Sequence, residues 1–481
     1  MKVADRLQLA PAQRAEVYYT SLLMHTGCTA GSVQIAAYLA SDELVAQRDF
    51  CLCDPGNSRE VMSWLWSHTS PTAPAPARSM RFLSNLMQGD RAMAEVERGC
   101  SDVGATIAGR LRLTEATRLS LFHICETWGG KGPHKLRGEA IPLPTRIVTA
   151  AMIFEVFLAS AGLDAALQAV AKRRAKSLDP QVVDALQQMS GDTAFWQTVK
   201  SEHLWISILE LEPLPVRLIG DRDLDNVSSA LADFVDLKNV RIAAHSREVA
   251  RLAEAIARRM RLPESDVDTA RRAALVHALG QVSVPAYVLS KASSLTPEET
   301  EKLRLHPYFT ERITARSPSL QQVGRIGAMH HERLDGKGYP LGLSGEQIPT
   351  VARIVAVADA YEEALEQRPG KPAVAGAEAF RELHAGSGTR FDPRCIEVLA
   401  QEVGVPRPTT TVRQEWPAGL TVREVEVLAL AARGLTTKEM AKALVISEST
   451  ARHHLEHIYD KVGATSRAGA VMFAAENGLI H

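Results

Sequence analysis

The chain has 481 residues, 46% hydrophobic and 23% charged, a balance that excludes a disordered or fibrous protein and allows about three domains. Lys plus Arg number 55 and Asp plus Glu 56, a net charge of -1, so nucleic acid or a membrane surface can be recruited only by a local patch. Aromatic residues make up 5%, Ala and Leu abound and strand-type runs are few, which predicts an all-α fold.

The N-terminal MKVADRLQLA places Asp5 and Arg6 where a signal peptide needs apolar residues, and the most apolar window, Ile147 to Leu163, is broken by Glu155. No targeting segment, membrane span or membrane partner is therefore expected. Cys28, Cys51, Cys53, Cys100, Cys125 and Cys395 have neither zinc-finger spacing nor secreted-scaffold density, which fits a reduced, cytoplasmic setting; Cys51 and Cys53 read as core thiols. SPTAPAPARS, Ser70 to Ser79, has three prolines and reads as a linker.

An internal repeat follows. GKGPHKLRGEAIPLPTRIV (Gly130 to Val148) parallels GKGYPLGLSGEQIPTVARIV (Gly336 to Val355), SLDPQVVDAL (from Ser177) parallels RFDPRCIEVL (from Arg390), and LLMHTG (from Leu22) parallels LVHALG (from Leu275). Ordered landmarks of this kind predict one fold used twice, over about residues 1–200 and 225–403. The second copy contains His245, His277, His306, His330, His331 and Asp359, residue types that bind divalent transition metals. In the first copy Met24, Ile124, Cys125 and Met152 stand where His277, His330, His331 and Asp359 stand in the second. The first copy thus reads as a scaffold without those ligands.

Helical spacing places His245 near the start of a helix beginning at Ala243, His277 near the end of one over Ala270 to Gly280, and His306 at the end of one capped by Thr296. Asp359 lies in the apolar run of a helix over Val351 to Leu365, and a carboxylate there asks for a cation. Each histidine alone reads more readily as a hydrogen-bonded structural residue than as a ligand; adjacent His330 and His331 before a Gly-rich loop, with Asp359 in an apolar helix, bring ligation level with that reading. His25, His123, His134 and His203 lack such company and read as structural.

HHERLDGKGYP, His330 to Pro340, resembles the signature of the HD-GYP phosphohydrolases, and the likeness extends over about 236–400 through DLKNVRIAAHS, the HP at His306, AVADAY and RFDP. The resemblance implies an all-helical domain with two or three iron or manganese ions that hydrolyses cyclic di-GMP using a metal-activated water. It implies His245, His277, His306, His330, His331 and Asp359 as ligands, and Gly336 and Gly338 as points of close approach to phosphates. Arg333, Lys337, Tyr339 and Arg247 are the side chains offered to a cyclic dinucleotide. One departure is decisive: the family's His-Asp pair is here His277-Ala278, and the lysine that follows it is Gln281. Ala278 removes the carboxylate that bridges two metals in the family. Diesterase activity is therefore expected to be weak or absent, with partial or no metal occupancy and no residue assigned as catalytic; the alternative is an active metal-dependent phosphodiesterase.

A second Pro-rich stretch, PRPTTTVRQEWP (Pro406 to Pro417), lies within a linker at 404–418, and 419–481 carries dense helix punctuation. Thr421 with Glu424 and Thr436 with Glu439 have capping-box spacing, Gly434 and Gly478 sit at helix ends, and Ser447 starts a helix of about fifteen residues. This order is helix-turn-helix geometry. Ser449, Thr450 and His453 are expected at base edges, and Lys438, Lys442, Arg452 and Lys461 at phosphates. From Leu420 to His481 there are seven basic and seven acidic residues, so charge alone does not select DNA. LTVREVEVL, GLTTKEMAKALVISESTARHH and IYDKVGATSR resemble the LuxR-type helix-turn-helix, which implies a four-helix domain binding double-stranded DNA as a homodimer.

Overall fold

The computed structural model describes residues 1–480 except 55–56, 200, 202–203, 217–219, 239–243, 367–372, 404–415 and 445. The second linker at 404–418 and His203 fall largely or wholly outside these. About 70% of the chain is helical, and no strand occurs among the described residues. The chain divides into two compact units, Met1–Ile219 and Gly220–His481.

In the first unit the Pro11–Leu23 helix packs against the apolar Leu143–Ala161 helix, which in turn packs on Leu163–Arg173. Val17, Ile147, Val148, Phe154, Val170 and Leu186 form their shared core. Leu143–Ala161 is long and apolar enough to cross a membrane by length and composition; its buried side, with Thr145, Ile147, Ala150 and Phe154, faces this core. The expected linker at 70–79 is only half correct, because a 36-residue helix, Ala75–Arg110, begins inside it. Pro74 and Pro76 fall at its N-terminal end, where a missing N–H costs nothing and the fixed φ suits a helix.

In the second unit the core lies between His245–Arg259, Glu264–Val276, Thr350–Leu365 and Pro393–Val403, with Ile256, Val276, Ile354, Val355 and Leu399 fully or almost fully buried. His306 begins a helix, His306–Thr314, instead of ending one. The preceding helix, Pro297–Arg304, has the Thr296–Glu299 capping box and stops at Leu305, and Pro307 occupies a first-turn position that tolerates proline.

Local features recur in both units. The Glu126 carboxylate accepts the amides of His134 (2.6 Å) and Leu136 (3.0 Å), and that of Glu332 accepts Leu341 (2.7 Å) and Leu343 (2.9 Å). Arg146 pairs with Asp179 at 2.6 Å and Arg353 with Asp392 at 2.8 Å. Short 3-10 turns, Gly138–Ala140 and Gly345–Gln347, precede the two apolar helices. A side chain on Gly27 would overlap the Cys100 carbonyl and one on Gly280 the His306 carbonyl, so each glycine admits a crossing helix at backbone distance. Met24 and His277 cap corresponding helices.

The C-terminal part is four helices, Val422–Ala432, Thr437–Leu444, Glu448–Val462 and Arg467–Glu476. Both capping boxes form, Ser447 and Ser466 cap the last two helices through their hydroxyls, and Gly434 and Gly478 take φ of +79° and +62°. Ala451, Leu455 and Ile458 supply the buried face of the third helix.

Candidate functional site

Five segments bring the six expected side chains of the second unit together. His245 opens its helix, His277 closes the next, His306 opens the third, His330 and His331 follow Pro318–Gly327, and Asp359 sits in mid-helix. His245 Nε2 and His277 Nε2 lie 3.0 and 3.3 Å from Asp359 Oδ1. His306 Nε2 lies 3.2 Å from His330 Nε2, and the rings of His277 and His330 are 4.9 Å apart. Two groups of three potential ligands result: His245, His277 and Asp359, and His306, His330 and His331. All but His331 are buried.

Backbone carbonyls fix the tautomers. The Nδ1 atoms of His277, His306 and His330 lie 2.6, 2.7 and 2.7 Å from the carbonyls of Ala274, Leu303 and Gly327, three residues back. A carbonyl only accepts, so each Nδ1 carries the proton and each neutral ring turns an Nε2 lone pair inward. Two such lone pairs at 3.2 Å, and a third facing a carboxylate oxygen, repel unless a cation or an added proton lies between them. The donor set therefore fits a divalent metal, with oriented imidazoles of the kind metal sites use. Burial holds His330 well below the usual histidine range, reinforced by His331, and burial with His306 beside it pushes His331 down to about 3. His245 is held well above that range despite its burial, because Glu366 and Asp359 bracket its ring at 2.9 and 3.0 Å. Asp359 is held well below the usual carboxylate range despite its burial, through its hydrogen bond with His245.

Around this cluster Ala278 is buried and offers no polar atom. Gly336 has φ +73°, and a Cβ on Gly338 would come within 2.6 Å of the Glu332 and His331 backbones. Tyr339 stacks on His331 with centroids 4.7 Å apart and receives the Arg304 guanidinium at 4.8 Å. Arg304 was not legible as a neighbour, since only the loop's fold returns Tyr339 to that helix. Arg333 forms a two-point pair with Asp335, Arg247 one with Asp233, and Lys337 is exposed on the loop. His123 and His134 do not lack company: with Glu126 they form a third compact group in the first unit, although both Glu126 oxygens already accept loop amides.

On the C-terminal domain Lys438, Lys442, Ser449, Thr450, Arg452 and His453 are all exposed, four of them along the third helix. Lys461 is exposed but engaged, its Nζ 2.7 Å from Glu424 and 3.1 Å from the Gly419 carbonyl. That contact ties the third helix to the cap of the first.

An all-helical histidine–aspartate centre joined to a helix-turn-helix defines a phosphohydrolase-type domain in a DNA-binding regulator. Residues 229–395 match the HD domain family and residues 418–474 the luxR family of bacterial regulatory proteins. The chain thus carries an HD-GYP-type domain and a LuxR-type domain. It is 28% identical over 408 residues to 3'3'-cGAMP-specific phosphodiesterase 3 of Vibrio cholerae, covering 84% of this chain and 88% of that protein. It is 38% identical over 183 residues to the cyclic di-GMP phosphodiesterase response regulator RpfG of Xanthomonas campestris, 38% of this chain and about half (48%) of that one. A crystal structure of a cyclic GMP-AMP specific phosphodiesterase from V. cholerae shares the fold over 82% of this chain and 98% of its own, with TM-score 0.50 and 24% identity. The first of these likenesses is too long to be held by residues 229–395 alone, so it reaches into the first unit.

Proposed function

We propose that the protein is a cytoplasmic, homodimeric transcription regulator in which a tandem HD-GYP-type region binds a divalent metal and a cyclic dinucleotide with weak or no hydrolysis, and the LuxR-type domain binds double-stranded DNA. The observation that carries the reading is the pairing of an assembled ligand set with Ala278. Six side chains are poised for metal, yet the position next to His277 has no carboxylate to hold two ions together. The parallels between the units support a duplication in which the first copy kept the frame. His306, His330 and His331 would hold the ion, with His245, His277 and Asp359 beside it, iron or manganese by the family resemblance. Such an ion supplies Lewis acidity toward a phosphoryl oxygen. The chain's own part is orientation: helix carbonyls aim the imidazoles, the Glu332 clamp shapes the Gly336–Tyr339 loop, and Tyr339 offers a ring beside the site for a base.

The test is metal analysis and cyclic di-GMP and cyclic GMP-AMP turnover on anaerobically purified protein, beside Ala278→Asp/Gln281→Lys. Unmodified protein should hold no more than one ion per chain and turn over neither nucleotide, and the double variant should gain both metal and hydrolysis. Two tight ions and turnover in the unmodified protein would establish the alternative, an active phosphodiesterase coupled to DNA binding, which the relatives' activities favour.

A further inference from the structure

The loop clamped by Glu126 carries two histidines that its counterpart in the second unit does not. With Glu126 matched to Glu332 and the two GKG loops aligned, His123 stands at the position of Met329 and His134 at that of Leu341. His134 and Leu341 donate their amides to the same point of the clamp, at 2.6 and 2.7 Å, so the loop closes with either side chain. The clamp does not require the imidazoles. Their rings nevertheless converge on it. His123 ends the Glu115–Phe122 helix, Glu126 lies in the turn that follows, and His134 returns to both from the far side of the loop. Phe122 stacks on the His134 ring with centroids 4.4 Å apart and meets the His123 ring edge-on at 5.0 Å, which leaves the two imidazoles 5.2 Å apart and at 88° to each other. One donor atom from each of His123, Glu126 and His134 lies within 4.8 Å of the other two. His123 Nδ1 and both ring nitrogens of His134 are buried without a hydrogen-bond partner among the described residues, and Glu126 Oε1 stands 3.4 Å from His134 Nδ1. Such orphaned groups cost about 1–3 kcal/mol each.

We propose that His123, Glu126 and His134 form a binding site for one divalent transition-metal ion of the zinc class. Two imidazoles and one carboxylate are a donor set that such ions take, with the remaining positions left to water. An ion among the three gives the orphaned ring nitrogens the partner they lack. Both Glu126 oxygens already accept an amide, but a carboxylate has about four acceptor positions, so the clamp and an ion can share it. Ligands about 2.0–2.2 Å from an ion lie at most about 4.4 Å apart, so the three donors need to close by only a few tenths of an ångström. The second unit, with Met329 and Leu341 beside its clamp, offers no such set there. The site shares no residue with the histidine cluster of the second unit and stands whether or not that cluster binds metal.

The test uses the full chain, stripped with chelator and titrated with Co2+ and then Zn2+. His277→Ala/His330→Ala removes one histidine from each group of three in the second unit; in that background one equivalent of Co2+ is expected to bind with a visible d–d absorption that Zn2+ displaces. Adding His123→Met/His134→Leu, which installs the side chains the second unit carries and keeps the clamped amide, should abolish the absorption. Zn2+ should raise the melting temperature of the first protein and leave that of the second unchanged, and the metal-free melts show whether each variant folds. Should the background variant not fold, His123→Met/His134→Leu in the otherwise unmodified chain is expected to lower bound Zn2+ by one equivalent per chain. Metal uptake that this pair of substitutions leaves unchanged, or no uptake by the folded background variant, overturns the proposal. A protonated His134 paired with Glu126, seen by NMR titration in a chain whose first unit takes up no metal, also overturns it and assigns the two histidines to the clamp.

Discussion

The contact between His306 and His330 compresses two inward lone pairs to 3.2 Å, and on the proposed metal site this pair would set the balance between stability and metal binding. An amide in place of one imidazole can donate to the other. His306→Gln is therefore expected to raise the melting temperature of the metal-free protein while weakening metal uptake about tenfold or more; calorimetry and metal analysis on the same samples check both. The glycine at 338 is constrained by backbone on three sides, the nearest 2.5 Å from an added Cβ. Gly338→Ala should cost about 1–3 kcal/mol through displacement of the Glu332 loop, measured by chemical unfolding. At this scale the sequence was informative where chemistry repeats in short motifs. His330, His331, Gly336 and Gly338 were legible because a motif names them, and Asp359 because an ionisable group stood in an apolar run. The approach of the long Ala75–Arg110 helix to Gly27 was not legible, since Gly27 and Cys100 are 73 residues apart in sequence (100 − 27) and no local pattern encodes their crossing.

Among elements, the third helix of the DNA-binding domain separates two kinds of lysine and arginine. Arg452 is exposed on the helix face, whereas Lys461 is held by Glu424 and Gly419. Arg452→Ala should weaken DNA binding and reduce the slope of log affinity against log salt by about one. Lys461→Ala should leave that slope unchanged and lower the melting temperature of the C-terminal domain; fluorescence anisotropy at several salt concentrations, with melts of the same proteins, distinguishes them. Glu424 has its carboxyl below the usual glutamate range, because Lys461 and the Thr421 amide and hydroxyl outweigh its burial. Its contribution is fully present above the unfolded value and is lost as pH falls through that value toward the lower folded one. Full-length protein should thus lose melting temperature more steeply on acidification below the ordinary glutamate range than Glu424→Gln does. Capping boxes were legible at both Thr421 and Thr436 because they are encoded within four residues. The start of a helix at Ala75 was not, since prolines signal either a linker or a first turn and only packing decides between them. His306 was misplaced for the same reason.

For the whole molecule, the near-neutral charge of the chain and of its DNA-binding part makes affinity depend on specific contacts and valency. The frame shared by the two units, an Arg–Asp pair and a carboxylate that clamps a loop, is built from residues outside the ligand set. Arg146–Asp179 and Arg353–Asp392, Glu126 and Glu332, make parallel contacts, while at the aligned positions the second unit has imidazole and carboxylate and the first has thioether, thiol and aliphatic carbon. On the duplication proposed above, shape and reactivity would have diverged at different speeds inside a single polypeptide. On that proposal the first unit would be a built-in reference, a version of the same cradle in which inherited architecture can be measured apart from inherited chemistry.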